Sequence, residues 1–283
     1  MLEVVRYMSD LDATTHLFGF DHAELSVPDM RKLDLTPDAL READVLVLPV
    51  AGMDNDGVVQ AKFADSDLQL TDDHFAAIKK TTPIFSGIAR QTLTAMAKKH
   101  GLHLVKLMEL DEVAILNSIP TAEGSIALAM ENTDITLHGS VCAVLGLGRC
   151  GLTLARTLAG MGARVRVCAR KPADLARILE LGLEPYSIGR IVDAVHDADV
   201  IFNTVPAPVL SADVLTSVPR NCLIIDIASA PGGTDFRYAE RRGIKALLAP
   251  SLPGIVAPKT AGRIIAQTIV RMIREQPWAS GGI

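Results

Sequence analysis

Cysteine is scarce in this chain and never clustered. Only Cys142, Cys150, Cys168 and Cys222 occur in 283 residues. None forms a Cys-x-x-Cys pair, so the usual zinc spacing is absent. Cys142 and Cys222 lie in apolar, strand-like runs, where cysteine is a small buried hydrophobe of a reducing compartment. A basic surplus is missing too: the net charge of -5 argues against nucleic acid as a partner. No apolar run approaches the ~20 residues that span a bilayer. The start, Met1-Leu2-Glu3-Val4-Val5-Arg6, lacks the basic head and apolar core of a signal peptide. With 49% hydrophobic and 22% charged residues, the chain reads as a core-forming, cytoplasmic protein of one large or two ordinary domains.

What is present is an alternation of short apolar strands and helical stretches. In the first third, strands are expected over residues 15–20, 45–50, 83–88 and 103–108. Helices are expected over residues 71–79, capped by Thr71, and 90–100, stopped by Gly101. Asp54-Asn55-Asp56-Gly57 marks a surface turn. Residues 121–131 read as a connecting helix with Thr121-Ala122-Glu123 at its start and Asn132-Thr133-Asp134 at its end. A second block follows, with strands over 141–145, 164–169, 200–203, 223–228 and 244–249. A helix is expected over 149–160, and an apolar helix over 260–273 closes the chain. Strand and helix taking turns predict parallel sheets. The expected fold is α/β with two Rossmann-like domains.

Gly146-Leu147-Gly148-Arg149-Cys150-Gly151 satisfies G-x-G-x-x-G. Following a strand and opening a helix, it reads as a dinucleotide-binding turn. Gly146 allows the tight turn, Gly148 lets a pyrophosphate approach the backbone, and Gly151 lets the helix pack on the strand. Arg149 and Cys150 supply first-turn N–H donors at the positive helix end. The next strand ends in Cys168-Ala169-Arg170-Lys171, where an NAD enzyme usually carries a carboxylate. Arg170 offers bidentate bonds to a 2′-phosphate and Lys171 a point charge, so NADP is favoured over NAD. Asn203, Thr204 and Val205 end a strand on the same sheet edge and are expected along the nicotinamide. Ser229 is either a nicotinamide contact or a turn cap.

Three segments suggest a pocket for a dicarboxylate. Lys259 and Thr260, with Thr260 read as a cap, stand at the start of the last helix. Asn117-Ser118-Ile119-Pro120-Thr121 precedes the connecting helix. Phe85-Ser86-Gly87-Ile88 ends a strand of the first domain. Ser86, Gly87, Asn117, Ser118, Thr121 and Lys259 are the candidate substrate residues, with Lys259 and Asn117 as catalytic candidates, and the segments are expected to meet over the nicotinamide. Ordinary helix capping explains each segment about equally well. No histidine follows His196, which disfavours a 2-hydroxyacid reaction with its His acid/base. Oxidation that creates an aromatic ring is strongly downhill, so positioning and hydride acceptance could suffice.

Several segments resemble the A-subunit family of dipicolinate synthase. They are Leu48-Pro49-Val50-Ala51-Gly52, Phe85-Ser86-Gly87-Ile88-Ala89, the stretch from Asn117 to Gly124, Asn132-Thr133-Asp134-Ile135-Thr136, residues 144–156, and Pro231-Gly232-Gly233-Thr234-Asp235-Phe236. The most specific is the run from Ala246 to Gly262. The resemblance covers about residues 18–274. It implies a substrate domain over residues 1–120, an NADP-binding domain over 121–256, and a helix over 257–276 returning to the first domain, as in hydroxyacid dehydrogenases. It also implies NADP-dependent formation of pyridine-2,6-dicarboxylate from a dihydrodipicolinate-level precursor during sporulation, in the mother cell. A flavoprotein-like B-subunit is implied as partner, beside an expected homo-oligomer. Family members begin with a strand and a Gly-Gly-Asp-type turn; Met1-Leu2-Glu3-Val4-Val5-Arg6-Tyr7 here already reads as the helix that follows. The alternatives are a cyclic-imine or amino/keto-acid dehydrogenase of similar fold, and a nucleotide-binding subunit without chemistry of its own.

Overall fold

The computed structural model describes residues 1–11, 13–25 and 29–275. The chain divides into two compact units, Met1–Val113 with Lys259–Ile283, and Ala114–Pro258.

The first unit opens with helix α1 (Leu2–Ser9), then β1 (Thr15–Leu17), β2 (Met30–Lys32) and α2 (Pro37–Arg41). It continues through β3 (Leu46–Val47), β4 (Val58–Val59), β5 (Leu68–Gln69), α3 (Asp72–Ala77), β6 (Ile84–Ser86), α4 (Gln91–His100) and β7 (Leu104–Lys106). Strands β3-β6-β7 form a parallel sheet, while β1-β2 and β4-β5 pair separately. The strands are shorter than their apolar runs. In the run over 45–50 only Leu46 and Val47 join the ladder, because Pro49 has no N–H to donate and the chain turns at Gly52 (φ 67°). Phe75, Ile84, Leu40 and Leu93 are buried in this unit's core. Thr71 caps α3 as expected: its N–H donates to His74 Nδ1 at 3.1 Å.

The C-terminal helix, Pro258–Glu275, belongs to this unit. Its Ile265, Ala266, Ile269 and Met272 pack with Val4, Phe85, Val105 and Leu107. Gly262 lies so close to α1 that a Cβ there would stand 2.6 Å from Glu3 Cβ. Arg263 pairs with Glu3 at 3.1 Å, and Arg271 with Glu112 and Glu275. Proline at the first helical position needs no N–H partner, so the helix starts at Pro258 and Thr260 lies inside its first turn rather than capping it. Gln276, the last residue of the expected span, lies outside the described residues.

The link between the units is α5 (Asp111–Asn132), and here the sequence reading needs correction. The helix does not begin at Thr121; it runs through Pro120. Side-chain hydroxyls bond back along it: Ser118 Oγ donates to Ile115 O (2.6 Å), Thr121 Oγ1 to Asn117 O (2.7 Å) and Ser125 Oγ to Thr121 O (2.7 Å). The polar run before Pro120 therefore mimics a cap while serving the helix interior. By length and composition α5 is long and apolar enough to cross a membrane, although no unbroken apolar run is. Its Ala122, Ile126 and Ala129 are buried in the core of the second unit.

The second unit continues with β8 (Val141–Leu145), α6 (Arg149–Gly160), β9 (Arg164–Ala169), α7 (Pro172–Glu180), β10 (Glu184–Ser187) and α8 (Ile191–Val195). Then come β11 (Val200–Asn203), α9 (Ala212–Leu215), β12 (Leu223–Asp226), α10 (Phe236–Arg242), β13 (Lys245–Leu248) and α11 (Leu252–Val256). Six parallel strands lie in the order β10-β9-β8-β11-β12-β13. The chain leaves β8 toward β9 on one side and returns to β11 on the other. That switch opens a crevice at the carboxyl ends of β8 and β11. The pleat sends Cys142 and Val144 into one core and Val141, Ala143 and Leu145 into the other. Burial pushes the Cys142 thiol up to about 11 and the Cys168 thiol to about 12, and raises that of Cys222. These three cysteines are packing groups.

One buried cation crosses this sheet. Arg166 on β9 pairs with Asp197 and with Glu184 (3.3 Å), and donates to Ala194 O at 3.3 Å. The guanidinium holds the Asp197 carboxyl below the ordinary carboxylate range. Because the folded value is depressed, this pair stabilises the fold above the unfolded carboxylate pKa of about 3.9 and is lost as pH falls through the lower folded value. Asp197→Asn is expected to lower the melting temperature at neutral pH and to flatten its decline below about pH 4. Melting curves of both proteins across that range check this.

Candidate dinucleotide site

The turn between β8 and α6 supplies the geometry of a phosphate cradle, and its three glycines are needed for different reasons. Gly146 has φ 98°, where a side chain is strained, and a Cβ there would stand 2.6 Å from Thr204 Oγ1. A Cβ on Gly151 would come within 2.1 Å of Gly146 O, so only glycine lets α6 pack this close to the strand. Gly148, the residue capping α6, is the opposite case. Its backbone is ordinary (φ -77°), it is exposed, and nothing lies within 4 Å of a Cβ built on it. The space above Gly148 is open on the side where the α6 N–H groups and helix dipole favour an anion.

Arg149 and Cys150 occupy the first turn of α6. Cys150 is half-buried and bonded to the Thr121 side chain; desolvation by burial raises its thiol pKa, outweighing the nearby Arg149 charge and the Thr121 bond. The thiol stays protonated, so Cys150 contributes to the cradle through its backbone. At the end of β9, Arg170 and Lys171 are both exposed, and Lys171 caps α7. Among the described residues neither makes an ion pair or side-chain hydrogen bond. Two cationic heads and a second helix N-terminus thus stand free beside the cradle.

The neighbouring strand ends are more occupied than the sequence suggested. Asn203 is fully buried; its Nδ2 donates to Val205 O (3.1 Å) and its Oδ1 accepts from Val205 N–H (3.0 Å). Thr204 Oγ1 donates to Leu145 O at 2.8 Å. The expected ligand contacts of Asn203 and Thr204 therefore give way to roles in holding β11 against β8, and Val205 Cγ2 backs Gly146. Ser229 is exposed, and its carbonyl rather than its hydroxyl closes the turn to Gly232 N–H (2.9 Å).

The residue that sequence reasoning missed here is Asp226, which is fully buried at the end of β12. Its Oδ1 accepts from Ala228 N–H (3.1 Å), and its Oδ2 from Gly233 N–H (2.8 Å) and Thr234 Oγ1 (2.7 Å). One carboxylate thereby fixes the loop that carries Ser229. The signal lay in the sequence as an Asp closing an apolar strand, with Gly-Gly-Thr following the next turn. Asp226→Ala leaves three buried donors unpaired, at about 1–3 kcal/mol each. A loss of about 3 kcal/mol or more is expected in denaturant unfolding.

The candidate substrate residues separate. Asn117, Ser118 and Thr121 lie on the face of α5 beside the first turns of α6: Ser118 Oγ shares a 2.6 Å bond with Thr153 Oγ1, and Thr121 touches Cys150. Ser118 is fully buried with its hydroxyl engaged, and Thr121 is engaged within its helix. Asn117 differs: its buried Oδ1 has no hydrogen-bond partner among the described residues. Ser86 and Gly87 belong to the first unit and are buried there. Ser86 Oγ donates to Ile88 O (2.6 Å), and a Cβ on Gly87 would meet Val50 O at 2.4 Å. They lock a turn rather than present donors. Lys259, in the first turn of the C-terminal helix, is exposed.

Comparison with known proteins gives the chain its relatives. Residues 1–108 match the family of the N-terminal domain of the dipicolinate synthase A-subunit. Residues 119–247 match the family of the NAD binding domain of S-adenosyl-L-homocysteine hydrolase. The chain is 46% identical over 274 residues to the dipicolinate synthase A-subunit of Bacillus subtilis (strain 168), covering 97% of this chain and 92% of that one. It is similar to the crystal structure of the dipicolinate synthase A-subunit from Bacillus halodurans, with TM-score 0.92, 46% identity, and coverage of 96% and 93% of the two chains. A transhydrogenase from Sinorhizobium meliloti shares the fold at TM-score 0.68 and 14% identity, covering 98% of this chain and 89% of that one. Agreement along nearly the whole chain, through both units, decides the assignment: the chain belongs to the A-subunit family of dipicolinate synthase.

Proposed function

We propose that this protein oxidises a dihydrodipicolinate-level precursor of the lysine pathway to pyridine-2,6-dicarboxylate, using NADP. The observation that carries the reading is the cradle at Gly146–Gly151, open only above Gly148, with Arg170 and Lys171 unpaired beside it. The residues fit a dinucleotide phosphate. When bound, the nicotinamide supplies a hydride acceptor. The α6 N–H groups hold the pyrophosphate, and Arg170 with Lys171 holds a 2′-phosphate that NAD lacks. The turns fixed by Asn203 and Asp226 present a rigid strand edge to the nicotinamide end. Asn117, with its unpaired buried amide oxygen, and Lys259, an exposed cation, remain the groups for orienting the substrate.

The ring loses two hydrogens: one leaves as hydride to the dinucleotide and one as a proton to water. Aromaticity drives the step, so the protein is asked mainly for alignment. The family name of the relatives supports a second, partner subunit, and we place the protein in the mother-cell cytoplasm on the same ground. The test is to mix the full chain with freshly generated hydroxytetrahydrodipicolinate and NADP. Reduced dinucleotide and dipicolinate rising together support the reading. NADP bound without either product forming, even after the partner subunit is added, counts against it.

A further inference from the structure

We infer that Arg90, in the first unit, is a specificity residue that clamps one carboxylate of the substrate; the inference rests on the dicarboxylate reading above. Arg90 stands where capping chemistry predicts something else. Helix N-caps favour Ser, Thr, Asp or Asn, and anions favour the positive helix end. The neighbouring helices obey: α2 is capped by Thr36, α3 by Thr71 and α10 by Asp235. Helix α4 is ten residues long, is capped by Arg90 without a side-chain hydrogen bond, and has no acid in its first turn. A cation placed at a positive helix end is locally unfavourable. Proteins tend to keep such rule-breaking arrangements at functional sites.

The guanidinium is also held in place. Its Nη1 donates to Ala51 O at 3.1 Å and to Met53 O at 3.2 Å. That carbonyl pair is presented by the turn at Gly52, where a Cβ would stand 2.1 Å from Ile88 O and 2.8 Å from Ser86 Oγ. Ser86 and Gly87, the residues first suspected of binding substrate, thus build the support, and the charge is carried a few residues later. Arg90 is exposed and makes no ion pair among the described residues, and its Nε and Nη2 have no protein acceptor there. It lies just beyond the carboxyl end of β6, on the edge of the parallel β3-β6-β7 sheet where open α/β folds take their ligands. A planar fork fixed by two carbonyls, with donors to spare beside helix N–H groups, suits a carboxylate.

The experiment measures binding of pyridine-2,6-dicarboxylate and of pyridine-2-carboxylate by calorimetry. It compares the full-length protein with Arg90→Met and Arg90→Lys, each checked by thermal melting and by NADP affinity. The expected result is a wild-type preference for the dicarboxylate that Arg90→Met removes, with a loss of about ten- to hundredfold for that ligand alone. Arg90→Lys, which keeps the charge and the stem, should fold in any case and show a smaller loss. NADP affinity should be unchanged in both, whereas a merely structural role would weaken every ligand together. Equal affinity of wild type and Arg90→Met for the dicarboxylate, or a wild type that does not distinguish the two ligands, overturns the inference. Turnover of the dihydropyridine by wild type with an unchanged KM in Arg90→Met sinks Arg90 alone. Loss of dicarboxylate binding in a protein with no turnover keeps Arg90 and sinks the proposed reaction.

Discussion

Replacing Gly148 with valine is expected to abolish dinucleotide binding while leaving the protein folded. The reason is the contrast among the three glycines of the cradle. Valine accepts the backbone angles of Gly148, and a Cβ there meets nothing within 4 Å. Its branches fill only the space that a pyrophosphate must enter to reach the α6 N–H groups. The melting temperature should stay within a few degrees of wild type, since surface substitutions usually cost about 0.5 kcal/mol or less. NADP affinity should fall about a hundredfold or more, the scale of losing several charge-assisted hydrogen bonds. Gly151→Ala should behave in the reverse order. Its Cβ collides with a backbone carbonyl at 2.1 Å, so it costs about 1–3 kcal/mol of stability before any ligand is added. Thermal melts and NADP titrations of the two variants side by side check both. A Gly148→Val protein that binds NADP normally places the dinucleotide elsewhere.

The second large effect is expected at Arg170. Only the 2′-phosphate distinguishes NADP from NAD, and Arg170 is an exposed guanidinium without a protein partner among the described residues, at the end of β9. A bidentate, charge-assisted contact is worth about 1.5–3 kcal/mol, or roughly ten- to hundredfold in affinity. Arg170→Ala should therefore raise the KM for NADP by that factor and leave the KM for NAD nearly unchanged. Removing Lys171 as well should add a smaller increment, because its ammonium is a point charge that water screens. Added salt should weaken NADP binding by wild type more than by the double variant. Equal effects of Arg170→Ala on both dinucleotides would falsify the assignment.

The second unit was the more legible from sequence. The strands β8, β9 and β11 and the helix α6 fall on the expected residues, because their apolar runs are long, bounded by glycine or polar turns, and buried on both faces. The first unit was less so. Its β2, β4 and β5 are two or three residues long, too short to leave a periodic signal. The error in α5 has one physical cause: Pro120 and the hydroxyls around it read as a helix start, and only the structure shows Ser118 and Thr121 bonding back into the helix.

The same logic divides the candidate site. Glycines declare themselves by spacing, since each answers a backbone constraint. Asn203, Ser86 and Ser118 looked like ligand donors because sequence shows a polar group without showing that a carbonyl has already claimed it. Asp226 and Arg90 escaped notice for the converse reason. Their importance lies in contacts across loops, to Gly233 and Thr234 in one case and to Ala51 and Met53 in the other.

The central claim is that hydride leaves the dihydropyridine ring for the dinucleotide held at Gly148. The most direct measurement uses ring-deuterated substrate with unlabelled NADP, and mass spectrometry of the reduced dinucleotide after one turnover. The account predicts one deuterium in the reduced nicotinamide for each dipicolinate formed. Dipicolinate formed with all of the deuterium released to water, and none in the dinucleotide, would contradict it.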